Sequence, residues 1–187
     1  MEEPGRSLSR FVAALYFSAE KHKDQRRKNE QRTPYINHPV ELAYILAEKC
    51  GVFDADVLAA AVLHDTLEDT DAQPEDIEKN FGSRVLTLVL EVTDDKRLVS
   101  KERKLKQLEK ASTLSHEARM IRIADKISNV SDLISSPPAG WNRKRKLDYV
   151  NWTADVVKKV KGTHPLLEKL YWETYKEAVL KLSLIHI

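Results

Sequence analysis

The chain has 187 residues, 42% hydrophobic and 32% charged, with a net charge of +2, the make-up of one globular domain able to bury a real core. No apolar run approaches the roughly 20 residues of a membrane helix, and the N-terminal MEEPGRSLSR has no apolar signal core. A single cysteine, Cys50, excludes an internal disulfide framework and a cysteine-rich zinc site, so the expected compartment is the cytoplasm.

Five glycines are well below the usual share of roughly 7%, which means few turns and predicts an all-α domain, a single helical bundle. Phe11, Ala14, Leu15 and Ala19 form an apolar stripe that predicts a first helix over 7–22. The polar stretch 23–34 then reads as a loop. Pro39 fits the first turn of a helix over 38–49, with Val40, Leu42, Ile45 and Leu46 inward. Asp54 is placed to cap an alanine-rich helix over 55–69, Pro74 and Glu75 open a short helix towards Asn80, and Gly82 precedes one that ends near Val92. A charged, exposed helix is expected over 101–110. Ser115 marks the start of the next, in which Met120, Ile123, Ala124, Ile127, Val130 and Ile134 recur at helical spacing. Pro137, Pro138 and Gly140 end it, and Gly162 and Pro165 separate two final helices over 141–161 and 165–182. No alternating strand pattern of useful length occurs.

Charge is unevenly spread. Residues 21–32 carry six basic and two acidic residues and 141–162 carry seven basic and two acidic, whereas 65–78 is acidic with no basic residue. That distribution suits a metal site with cationic walls for a phosphorylated ligand; taken singly, each run also reads as a solvated helix face. No helix-turn-helix or RNA-binding signature stands out, so no nucleic-acid partner is expected.

The densest chemical cluster is His64-Asp65-Thr66-Leu67-Glu68-Asp69-Thr70. On a continuous helix His64 stacks over Glu68 and Asp65 over Asp69, with His64 and Asp65 reaching one centre from neighbouring edges. Such a group behind the apolar stretch 57–63 is costly without a compensating cation, and a divalent metal is the natural one. His38 at the mouth of the second helix and Asp125 in a largely apolar helical run offer further ligands, and Asn129 lies on the same stripe as Asp125. His38, His64, Asp65 and Asp125 would make two imidazoles and two carboxylates, a set suited to Mn²⁺, Fe²⁺ or Zn²⁺ rather than Ca²⁺. Each also has a plainer role: His38 as a helix-start hydrogen-bonding residue, Asp125 as a partner of Arg122 or Lys126.

The segments HKDQRRKN, TPYINHPVELA, AAVLHDTLEDTD, FGSRVLTLVLEVTDDK, ERK and IRIADKISNV cover about residues 10–162. In them the chain resembles the HD-domain metal-dependent phosphohydrolases and, within these, the hydrolase domains of the Rel/Spo alarmone enzymes, especially the stand-alone forms of the metazoan SpoT-homologue type. The resemblance implies an all-α fold and one Mn²⁺. It carries metal ligation to His38, His64, Asp65 and Asp125, a catalytic acidic pair to Glu68 and Asp69, and nucleotide contacts to Arg27, Lys28, Asn129 and Tyr149. The implied reaction removes the 3′-pyrophosphate of ppGpp or pppGpp. An NADPH 2′-phosphatase or another nucleotide phosphohydrolase is the alternative, and a non-catalytic nucleotide-binding module a further one. Ser128 and Ser131 depart from the family's pattern at positions expected to adjoin the nucleotide. Residues 163–187 leave no room for a synthetase domain, so a hydrolase alone is expected. The final Leu182-Ser183-Leu184-Ile185-His186-Ile187 can be encoded by a sequence resembling a transposon-end adapter; the domain is therefore expected to span 1–181, with 182–187 a non-native tail and His186 set aside as a ligand.

Overall fold

Helical periodicity resolves into ten α-helices in the computed structural model, which describes residues 4–184. They are α1 (Pro4–Lys21), α2 (Asn37–Tyr44), α3 (Ala55–Leu63), α4 (Thr66–Asp69), α5 (Pro74–Phe81), α6 (Ser83–Val92), α7 (Ser100–Lys110), α8 (His116–Ser135), α9 (Arg143–Lys159) and α10 (Pro165–Leu184). The described residues contain no strand, only two isolated bridges, Arg26 with Pro34 and Asn29 with Pro138. None of the helices is long and apolar enough to cross a membrane. Residues 182–184 continue α10, with Leu182 buried, and the rest of the expected tail, including His186, lies outside the described residues.

Local chemistry sets most of the helix ends. Asp54 caps α3 by accepting from the amides of Asp56 and Val57, Ser115 caps α8 through the amide of Ala118, and Asn142 caps α9 through that of Arg145. Gly82 links α5 to α6 at φ 91° and ψ 165°, a conformation essentially restricted to glycine. The second helix reaches Lys49 as expected, but its last turn, Ile45–Lys49, is wound wide, and Ile45 and Leu46 are both buried there.

The alanine-rich helix differs more from expectation. It stops at Leu63, and the chain turns through His64 and Asp65 before the short α4 begins. Asp65 sits at φ −101° and ψ −2°, outside regular helix geometry. The predicted stacking of His64 over Glu68 on a continuous helix is therefore replaced by a bend.

The helix α8 is the centre of the bundle. It packs against α10, α6, α2 and α3, and every residue from Met120 to Ser128 is buried. A helix buried all round takes its polar residues inside with it. Arg122, Asp125, Lys126 and Ser128 must therefore find partners there, because an unpaired buried polar group costs several kcal/mol, about 2–7 depending on the reference. Their partners form the site.

Candidate metal centre and its cleft

His38, at the start of α2, and His64 and Asp65, in the bend after α3, present ligand atoms within 4.8 Å of one another. Asp125 joins them from α8, its Oδ1 lying 3.4 Å from His38 Nε2. The bend makes this possible, because it turns two adjacent side chains towards one point: His64 Nε2 lies 2.9 Å from Asp65 Oδ2. Both imidazoles and Asp125 are buried.

The hydrogen bonds show what the centre is prepared for. His64 Nδ1 contacts the carbonyl oxygen of Ala61 at 2.8 Å, so Nδ1 carries a proton, and the buried Nε2 is turned to Asp65 Oδ2. Nε2 is the ring nitrogen that faces the carboxylates, the atom through which an imidazole would meet a cation. Tyr35 donates its hydroxyl to Asp65 Oδ2. Asn129 donates to Asp125 Oδ1 at 2.5 Å, and Lys126 pairs with Asp125 Oδ2 at 2.9 Å, the plainer role considered for that aspartate. Burial opposes charge on His64, yet the neighbouring Asp65 outweighs it and raises the imidazolium to about 9. Against the same burial, His64 and His38 hold Asp65 below the usual carboxylate range, and Lys126 and the histidines do so for Asp125. Excess negative charge that draws a proton to the ligand face fits a divalent cation, which would replace that proton.

The catalytic pair expected at Glu68 and Asp69 divides between two compartments. Glu68 faces an inner cavity of about 200 Å³ that also contains His38, His64, Asp65 and Asp125. Burial, and then the charges of Asp65, Asp94 and Asp69, raise its carboxyl to about 7. Arg103 Nη1 meets it at 3.0 Å and the Asp94 amide at 3.2 Å. Asp69 instead lines an outer cleft of about 530 Å³, where it pairs with Lys96 and accepts from Gln25 at 3.1 Å.

Arg27, Asn129 and Tyr149 stand where the inner cavity opens into the outer cleft and line both. Arg27 pairs with Asp132 and donates to Asn129 Oδ1 at 3.2 Å. Lys28 is exposed and lines only the outer cleft, away from the ligand cluster. Ser128 does not adjoin the cleft: it is fully buried beneath His38, and Ser131 lines neither cavity. Ser128, one turn from Asp125 on α8, is instead taken up by His38 and Glu41, and Ser131 lies on another face of the helix from Asp125 and Asn129.

Several lining residues were not singled out from the sequence. Tyr35, Arg103, Lys104, Arg122, Lys126 and Trp152 all face the inner cavity. Lys104 and Lys126 lie over the Trp152 ring at 4.9 and 4.6 Å, which joins α7, α8 and α9 at the mouth. The signal for α7 was present in the ERK segment, but its high charge favoured a solvated face.

The HD domain family model matches residues 14–148. The chain belongs to the HD-domain family. The HD-domain chain is 44% identical over 178 residues to the Mus musculus protein named guanosine-3′,5′-bis(diphosphate) 3′-pyrophosphohydrolase MESH1, an alignment covering 95% of this chain and 99% of that one. It is 48% identical over 158 residues to the protein of the same name from Xenopus tropicalis, covering 84% and 88%. A solved structure described as a metazoan ortholog of SpoT that hydrolyzes ppGpp superposes with a TM-score of 0.87 at 44% identity, over 90% of this chain and 94% of that one. The HD-domain fold and the resemblance to stand-alone alarmone hydrolases therefore hold.

Proposed function

We propose that this protein hydrolyses the 3′-pyrophosphate of ppGpp or pppGpp to GDP or GTP and pyrophosphate, with Mn²⁺ held by His38, His64, Asp65 and Asp125. The observation that carries this reading is the convergence of two imidazoles and two carboxylates at a buried point that opens directly into a cation-walled cleft. The names of its relatives support the substrate.

A bound cation would supply Lewis-acid charge and make a water acidic enough to attack at neutral pH. The remaining work falls to side chains. Glu68, poised near neutrality, exchanges a proton with the water or with the departing 3′-oxygen. Water is consumed, the bond between phosphorus and the ribose 3′-oxygen breaks, and that oxygen leaves protonated. Arg27, with its planar fork, and Lys104 neutralise phosphate oxygens, Asn129 and Tyr149 orient the nucleotide, and Lys28 acts farther out. Asp69 serves as a positioning residue that fixes Gln25 and Lys96 along the wall.

The test is to incubate the purified protein with Mn²⁺ and either ppGpp or NADPH. Pyrophosphate from ppGpp is the expected product; orthophosphate from NADPH without turnover of ppGpp would replace this reading with the 2′-phosphatase alternative. Asp65→Ala is expected to lose bound metal and activity together, and full activity in a metal-free Asp65→Ala protein would overturn the mechanism.

A further inference from the structure

His38 has its own support beneath the metal centre, built from two residues that the proposed reaction does not use. Its Nδ1 lies 2.8 Å from Ser128 Oγ, and Ser128 Oγ donates to Glu41 Oε2 at 2.7 Å. Glu41 lies three residues after His38 on α2, so the two share a helix face, and Ser128 reaches between them from α8. A serine hydroxyl has one proton to give, and an ionised carboxylate can only accept. With that proton committed to Glu41, the serine oxygen presents a lone pair to His38, and Nδ1 must be the protonated nitrogen. In the neutral imidazole Nε2 is then the unprotonated one, and it faces Asp65 and Asp125.

We infer that Glu41 and Ser128 are positioning residues that set the tautomer and ring orientation of His38 for metal binding. Glu41 acts only through Ser128. Without the carboxylate, the hydroxyl is free to turn and donate to Nδ1, which moves the imidazole proton to the nitrogen that must bind the cation. Outer partners of this kind are worth about ten- to a hundredfold in metal affinity. The inference rests on the metal-centre reading above.

The experiment titrates Mn²⁺ into metal-free full-length protein against a fluorescent chelator, with melting of the same metal-free samples measured alongside. Ser128→Ala and Glu41→Ala are each expected to weaken Mn²⁺ binding by about ten- to a hundredfold with the metal-free protein still folded. Glu41→Gln, which keeps an acceptor oxygen, should bind nearly as the wild type. In the double variant Glu41→Ala should add nothing to Ser128→Ala, because the two act in series. Wild-type affinity in Glu41→Ala, or an equal further loss from Glu41→Ala in both backgrounds, would overturn the inference. Should Ser128→Ala not fold, the contrast between Glu41→Ala and Glu41→Gln decides alone, since Glu41 is only partly buried. Wild-type protein that binds no divalent cation would instead sink the metal-centre reading itself.

Discussion

Two adjacent carboxylates, Glu68 and Asp69, stand in different surroundings. Glu68 sits in the inner cavity, where burial and neighbouring negative charge lift it to about 7. Asp69 turns to the outer cleft and is tied to Lys96 and Gln25. If Glu68 takes a proton in the rate-limiting step, its carboxylate form is the active one, so turnover rises as pH increases through its pKa. A bound cation favours that form, so the acid limb is expected at or below about pH 7, with the limb absent in Glu68→Gln. Glu68→Gln should retain metal, because it lies outside the ligand cluster, and lose turnover by roughly a hundredfold or more; a pH–rate profile and metal analysis on one preparation check both. The composition of this cluster was legible in HDTLEDT, and His38, His64, Asp65 and Asp125 do converge. The division of Glu68 from Asp69 was not, because it depends on a bend at His64 and Asp65 that local helix preference does not call for.

At the scale of the element, capping and glycine chemistry were readable, and packing was not. Asp54 and Ser115 cap the helices they were expected to cap. Gly82 holds a backbone conformation closed to alanine without strain, though its surroundings leave room for a Cβ. Gly82→Ala is expected to cost about 1–3 kcal/mol and to lower the melting temperature by several degrees, with metal affinity unchanged. The charged helix α7 was expected to be exposed, and it has no fully buried residue. Yet it contributes Arg103, Lys104 and Gln107 to the cavity wall and is held mainly by polar contacts: Arg103 to Glu68, Gln107 to Asp94 and Lys126, and the Lys104 carbonyl to the Trp152 indole. Few buried apolar contacts mean a low local opening energy. Amide exchange across Ser100–Lys110 should therefore be faster than in the core of α8, and should slow when nucleotide binds between α7 and α9. Equal exchange rates in α7 and α8 would contradict this.

For the whole molecule, the two basic stretches and the acidic stretch separated in sequence meet around one opening, though only some of their residues take part: Arg26, Arg27, Lys28 and Arg145 line the outer cleft with Arg103 and Lys104. A charged wall open to solvent is screened by salt. KM for a polyphosphate nucleotide is expected to rise between low and physiological ionic strength, with kcat changing less. Metal binding should also appear in the fold's stability, since α2, the bend after α3 and α8 meet at the centre. About a hundredfold excess of free cation over Kd adds about 2.7 kcal/mol, and chelation should lower the melting temperature accordingly; a melting curve indifferent to chelator and Mn²⁺ would argue against a shared centre.

By itself the sequence determined an all-α chain, the ends of most helices, and the histidines and aspartates that come together at the centre. These follow from period, caps and side-chain chemistry, which act within one or two turns of the chain. The tertiary structure alone decided which of those residues share a compartment. Burying α8 on all sides forces Asp125, Lys126 and Ser128 inward together, and the bend after α3 aims His64 and Asp65 at the same point. It also places Ser128 under His38 rather than beside the cleft, and brings a surface-like charged helix over the mouth. Those outcomes depend on contacts between residues far apart in the chain, for which no short-range pattern exists.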